Sequence, residues 1–125
     1  MKFELKKIAG DASFRKFYRL KQDGKTSIIV KSKKEKIKIL IVYSAINKFL
    51  RKRGILTPQL LNKFFGKGII EIEDFGDVSF YKYLKRKNKY NVYKKIINLL
   101  LKLQKIKPRK FIYSLKNYRI NLNFY

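Results

Sequence analysis

Four of the eight acidic residues in this 125-residue chain stand together: Glu71, Glu73, Asp74 and Asp77. From Val78 to Tyr125 there is no carboxylate side chain. Such a cluster suits Mg²⁺, which takes one or two carboxylates together with phosphate oxygens. It suits equally a solvated strand end whose acids pair with nearby lysines. A second group is Gly10-Asp11-Ala12-Ser13. Gly10 permits close backbone approach, Ala12 and Ser13 are small, and a hydroxyl beside exposed N–H groups can hold an anion. The same four residues also make an ordinary turn. The sequence contains no histidine and no cysteine. That excludes Ser-His-Asp and Cys-His nucleophiles, thiolate and imidazole metal sites and disulfides. It also removes the commonest general base.

The charge points to a different class of ligand. Basic residues outnumber acidic ones by 33 to 8, a formal charge of +25 that should attract polyanions such as nucleic acid or an anionic membrane surface. The basic residues are dispersed, however, and Lys, Ile, Asn, Phe and Tyr share A/T-rich codons, so compositional drift explains the excess as well. Polyanion binding of this origin is salt-sensitive and blind to sequence. Phe14, Phe17 and Tyr18 could stack on bases. In a strand, Phe14 and Tyr18 share one face with Lys16 while Phe17 points the other way, so core packing suits at least part of the set. No apolar run approaches the roughly 18 residues that span a bilayer. The start, Met1 to Lys7, has no apolar segment of a signal peptide. No membrane span and a cytoplasmic location are expected.

The elements that must position these residues follow from periodicity. Lys2–Ile8, Phe14–Leu20 and Ser27–Lys31 read as strands in two antiparallel hairpins, with Gln22-Asp23-Gly24-Lys25 as a turn. Ile39, Val42, Tyr43, Ile46, Phe49 and Leu50 form one apolar helical face, with Asn47 among the residues away from it and Gly54 at the C-terminal cap. Gln59–Phe65 and Ile69–Glu73 read as further strands, the latter at the end of the sheet. Phe80, Tyr81 and Leu84 suggest a short helix. Asn91 can cap a longer one that Pro108 closes, and Tyr118–Tyr125 alternates like a strand. Strands, one inserted helix, strands and then helices make an α+β pattern.

Asp74-Phe75-Gly76 matches the magnesium motif of protein kinases, but that motif follows a loop carrying His-Arg-Asp, which this chain lacks, so the match is accidental. A longer correspondence is more specific. Gly10-Asp11-Ala12-Ser13-Phe14-Arg15-Lys16-Phe17-Tyr18-Arg19-Leu20 closely resembles the opening motif of one branch of the aminoglycoside phosphotransferase family, the bacterial kinases that phosphorylate N-acetylmuramate and N-acetylglucosamine at the anomeric carbon. Ile28-Ile29-Val30, Glu35-Lys36, Gly54-Ile55-Leu56-Thr57-Pro58, Ile72-Glu73-Asp74-Phe75-Gly76-Asp77 and Leu103-Gln104 resemble the same branch in the same order, over residues 8–105.

The resemblance implies a protein-kinase-like N-terminal lobe at residues 1–77, an antiparallel sheet with one inserted helix, followed by a helical segment at 78–125 that leads toward a second lobe. It sets Gly10, Asp11, Ala12 and Ser13 over the ATP phosphates. It makes Lys31 the lysine that reaches the α- and β-phosphates, with Glu35 as its partner, although Lys33, Lys34 and Lys36 are also available. Glu73 to Gly76 become the hinge at the adenine edge, with Phe75 and Ile72 against the ring. The family's catalytic half carries a His-x-Asp loop, a downstream Asn and an Mg²⁺-binding Asp, and nothing after Asp77 supplies them. The expectation is therefore an N-terminal fragment of an ATP-dependent phosphotransferase of amino sugars or aminoglycosides, inactive alone. It would have no catalytic residue or metal ligand of its own, weak ATP binding, and Mg²⁺ only with a separate C-lobe chain. The alternative is a basic RNA-, ribosome- or anionic-lipid-binding module on the same scaffold.

Overall fold

The computed structural model describes residues 2–8, 14–86, 88–106, 111–115 and 118–122. Strands β1 (Phe3–Lys7), β2 (Arg15–Gln22) and β3 (Lys25–Ser32) form an antiparallel meander. A short 3₁₀ turn (Lys34–Lys36) leads into helix α1 (Ile37–Lys52), and β4 (Leu60–Phe64) and β5 (Ile69–Glu73) complete a five-stranded sheet in the order β1-β2-β3-β5-β4. All its pairings are antiparallel. Helices α2 (Phe80–Arg86) and α3 (Lys89–Gln104) follow, and β6 (Phe111–Leu115) pairs with β7 (Tyr118–Leu122) in a separate two-stranded sheet. The chain is α+β. Among the described residues no helix is long and apolar enough to cross a membrane.

The β2–β3 turn is set by Asp23 and Gly24, whose φ values are 50° and 79°. Positive φ at both positions is the signature of a type I′ loop, whose twist matches that of the flanking strands. From that turn the register runs in rows. Phe17, Val30 and Ile70 lie opposite one another across β2, β3 and β5, and Arg19, Ile28 and Ile72 form the next row on the same face. Val30, Ile70 and Ile72 pack with Leu40 of α1 to form the core, flanked by Phe17, Ile28, Tyr43, Leu60 and Phe65. This is the face that α1 covers. The alternating residues Lys16, Tyr18, Ile29 and Lys31 belong to the other face.

Four sequence expectations are corrected. β5 is not at the sheet's end: α1 carries the chain past β3 to the far edge, and β5 returns into the gap between β3 and β4. The most buried face of α1 is Leu40, Ile41, Ser44 and Ala45, while Ile46 is exposed. The helix is apolar around most of its circumference, so spacing alone does not choose the face. Asn47 is buried, and its Nδ2 donates to the carbonyl of Pro58 at 2.7 Å, which explains how a polar side chain is accommodated there. Helix α3 is capped by Asn88, whose side chain accepts from the Tyr90 N–H at 3.0 Å, and Asn91 lies within the helix. Gly54 does follow the α1 C-cap. The strand expected at the tail is present over Tyr118–Leu122, and residues 123–125 lie outside the described residues.

Candidate functional site

Arg19 was no part of the expected site, yet it organises the acidic cluster. Its row on β2 ends beside the segment that leaves β5. Nε donates to Asp74 Oδ2 at 2.6 Å and Nη2 to Asp74 Oδ1 at 3.1 Å; Nη1 and Nη2 donate to Asp77 at 2.8 and 2.9 Å. Two bidentate pairs on one guanidinium use its planar fork of donors. The Gly76 N–H closes a turn onto Asp74 Oδ1 at 2.8 Å. The Asp74 side chain is 5% exposed and that of Asp77 71%, so Asp74 is the structural half of the pair. The Arg19 hydrogen bonds hold both carboxyls below the usual carboxylate range and hold the guanidinium above its own.

The remaining acids have other donors. Glu71 accepts from Ser27 Oγ at 2.6 Å and from Asn62 Nδ2 at 2.7 Å, and Glu73 accepts from the Gln59 N–H at 3.0 Å. The cluster is thus divided between two faces and three sets of donors. Among the described residues no group of three or more His, Cys, Asp or Glu side chains is placed to hold a metal ion.

A pH dependence follows from the clamp. Carboxyls whose folded-state pKa is depressed add stability that is complete above their unfolded value, near 3.8, and that is lost as pH falls through the folded value. The difference in melting temperature between the native chain and Arg19→Gln is expected to be constant from about pH 7 to pH 5 and to shrink below about pH 4. A difference unchanged down to pH 2.5 would show that the carboxylates play no part.

Of the other expected site residues, the structure describes Lys31, Glu35, Glu73 and Phe75. Gly10, Asp11, Ala12 and Ser13 lie outside the described residues, between strands whose last described bond is the Ile8 N–H to the Phe17 carbonyl, 2.9 Å. Lys31 stands on the face opposite α1. Glu35 is exposed in the 3₁₀ turn that precedes the helix, and no ion pair joins it to Lys31. Glu73 is fastened to Gln59 through both its N–H and its carboxylate. Phe75 is exposed and open to a ligand, whereas Ile72 is in the core and is not available to a ring.

Lys31 does contribute to a cleft. Phe14 just before β2, Lys16 and Tyr18 of β2, Lys31 and Ser32 at the end of β3 and Lys33 just after it line a recess of about 310 Å³. Lys16 was also unassigned in the sequence. Its alternation with Phe14 and Tyr18 was visible, but its position opposite Lys31 required the β2–β3 register. Comparison with protein-family models, with curated proteins and with solved structures gives no match to this chain.

Proposed function

We propose that the chain is the N-terminal, nucleotide-side lobe of an ATP-dependent phosphotransferase acting on small molecules of the amino-sugar or aminoglycoside type. The observation that carries this reading is the Arg19 clamp. Arg19 belongs to the first of the sequence strings that resemble the phosphotransferases, and Asp74 and Asp77 belong to the string assigned to the hinge. These stretches, 55 residues or more apart, are bonded into one unit. The five-stranded antiparallel sheet with a single helix inserted after its third strand supports the same reading.

In this reading the adenine edge meets backbone groups between Glu73 and Gly76, beside the exposed ring of Phe75, and the phosphates lie toward Gly10–Ser13. Lys31 faces away from α1, so a nucleotide bound against the α1 side of the hinge does not reach it. Phosphoryl transfer depends on positioning and charge neutralisation by both lobes. Mg²⁺ ligands and the acceptor's base then come from a second lobe, as further chain or as a separate partner.

The test is competition for a fluorescent ATP analogue in the presence of Mg²⁺. Weak, saturable binding is expected, displaced by ATP and adenosine more effectively than by inorganic tripolyphosphate. Displacement by tripolyphosphate as effective as by ATP would replace hinge recognition with bulk charge and overturn the proposal. The 125 residues alone should show no ATP-dependent phosphorylation of amino sugars or aminoglycosides. Turnover above a no-protein control, abolished by Lys31→Ala, would overturn both the need for a second lobe and the exclusion of Lys31.

A further inference from the structure

On the sheet face opposite α1, Lys16 and Lys31 are directly opposed in the β2–β3 register. Their Cβ atoms are about 4.5–5.5 Å apart in such a pair, and like charges placed so destabilise a sheet. Lys33 lines the same recess. Lys36 stands 4.9 Å over the ring of Phe14, adding a further cation at the rim. Among the described residues no carboxylate forms an ion pair with any of these lysines. The acids on that face of the sheet are occupied elsewhere, Glu71 by Ser27 and Asn62 and Glu73 by Gln59. Among the described residues the cation pair in this concave site is therefore uncompensated, an arrangement that a bound anion relieves.

The recess is not lined by charge alone. Phe14 is 62% exposed at one wall, and Tyr18 is half-buried beside Lys16. Phe17, between them in sequence, is turned into the core, so the two aromatics on the open face are those that alternate with Lys16. Lysines that follow a phosphate backbone, interleaved with aromatic rings on which bases stack, are the means by which proteins hold single strands without reading sequence. A duplex offers the phosphates but keeps its bases paired. A bilayer presents headgroups on a plane, whereas these lysines line a recess of about 310 Å³.

We propose that this cleft binds single-stranded nucleic acid, with phosphates on Lys16 and Lys31 and an unpaired base stacked on Phe14. The recess is lined by none of the backbone groups between Glu73 and Gly76 proposed to meet the adenine edge, so this proposal does not depend on that one.

The test uses the full chain and a fluorescently labelled oligo(dT) of about ten nucleotides, within the range of known single-strand sites. Binding is followed by anisotropy across a salt series. Lys16, Lys31 and Phe14 are exposed, so their truncation leaves the core intact, which circular dichroism checks. Lys16→Ala with Lys31→Ala should weaken binding at least tenfold and reduce the slope of log K against log salt by about 1.4, two phosphates at roughly 0.7 each. Phe14→Ala should weaken it by about fivefold or more. Lys94→Ala with Lys95→Ala, the same change in net charge on exposed positions of α3, should stay within about twofold of the native chain. An equal loss from both lysine pairs would reduce the binding to bulk charge, and an unaffected Phe14→Ala would remove the stacked base. Phosphatidylserine vesicles that bind more tightly than the oligonucleotide, with the same dependence on Lys16 and Lys31, would make the ligand a membrane. Each of these three results overturns the proposal.

Discussion

Replacing Gly68 by alanine is expected to destabilise the protein by more than about 2 kcal/mol, against about 1 kcal/mol for Gly24→Ala. Both glycines have positive φ, 66° and 79°, where an L-residue costs about 1–2 kcal/mol in backbone strain. Their surroundings differ. A Cβ at Gly24 meets nothing within 4 Å, whereas one at Gly68 would stand 2.6 Å from the Ser32 carbonyl oxygen, a backbone atom that cannot swing aside. The Gly68 carbonyl also accepts the Ser32 N–H at 2.8 Å. Relief of the clash must therefore shift the end of β3, where Lys31, Ser32 and Lys33 line the cleft. Gly68→Ala should weaken oligonucleotide binding as well as stability, and Gly24→Ala should leave binding unchanged. Urea unfolding and anisotropy on the same preparations check both. Equal effects of the two substitutions would mean that the Gly68–Ser32 contact does not hold the cleft wall.

The core truncations carry the other large effect. Leu40 and Ile70 are both 0% exposed and belong to the cluster in which α1 packs on the sheet. Leu40→Ala and Ile70→Ala are each expected to lower unfolding free energy by about 2–5 kcal/mol, and Ile70→Val by about 0.5–1.5 kcal/mol. A domain's whole stability is about 5–15 kcal/mol, so a single truncation removes a large share of it. Because Leu40 and Ile70 belong to one packed cluster, the double truncation should cost less than the sum of the singles. Denaturant titration measures all four. A cost below about 1 kcal/mol for Ile70→Ala would show that α1 is not the element that closes this core.

The parts of this fold that were legible in the sequence are those written in local chemistry. Asp23-Gly24 specifies its turn through φ alone, Gly54 follows the end of α1, and Phe17 separates from Phe14 and Tyr18 by simple alternation. What depends on partners distant in sequence was not legible. Arg19 meets Asp74 only because β2, β3 and β5 stand side by side in register, and no spacing within β2 announces it. The clustered acids are close along the chain, yet Glu71 within β5 and Asp74 just after it go to different donors. Asn88 and Asn91 offer the same capping chemistry three residues apart, and only the backbone decides between them. Phe111–Leu115 becomes a strand by pairing with Tyr118–Leu122, so neither run reveals the two-stranded sheet by itself.

The arrangement of the rows also implies an order of assembly. The β2–β3 hairpin joins residues separated by a two-residue turn, and such hairpins close within about 1–10 μs. The β3–β5 ladder unites residues 44 apart, as in the Ile28–Ile72 pair, and must bear the loop-closure entropy of everything between them. Lys16 and Lys31 are therefore brought together early, by the fast local step, while the Arg19 clamp waits for β5 to enter the sheet. The opposed lysines are in place before the Asp74–Asp77 segment is fastened, and a nascent chain that has not yet completed its sheet already presents that pair of positive charges.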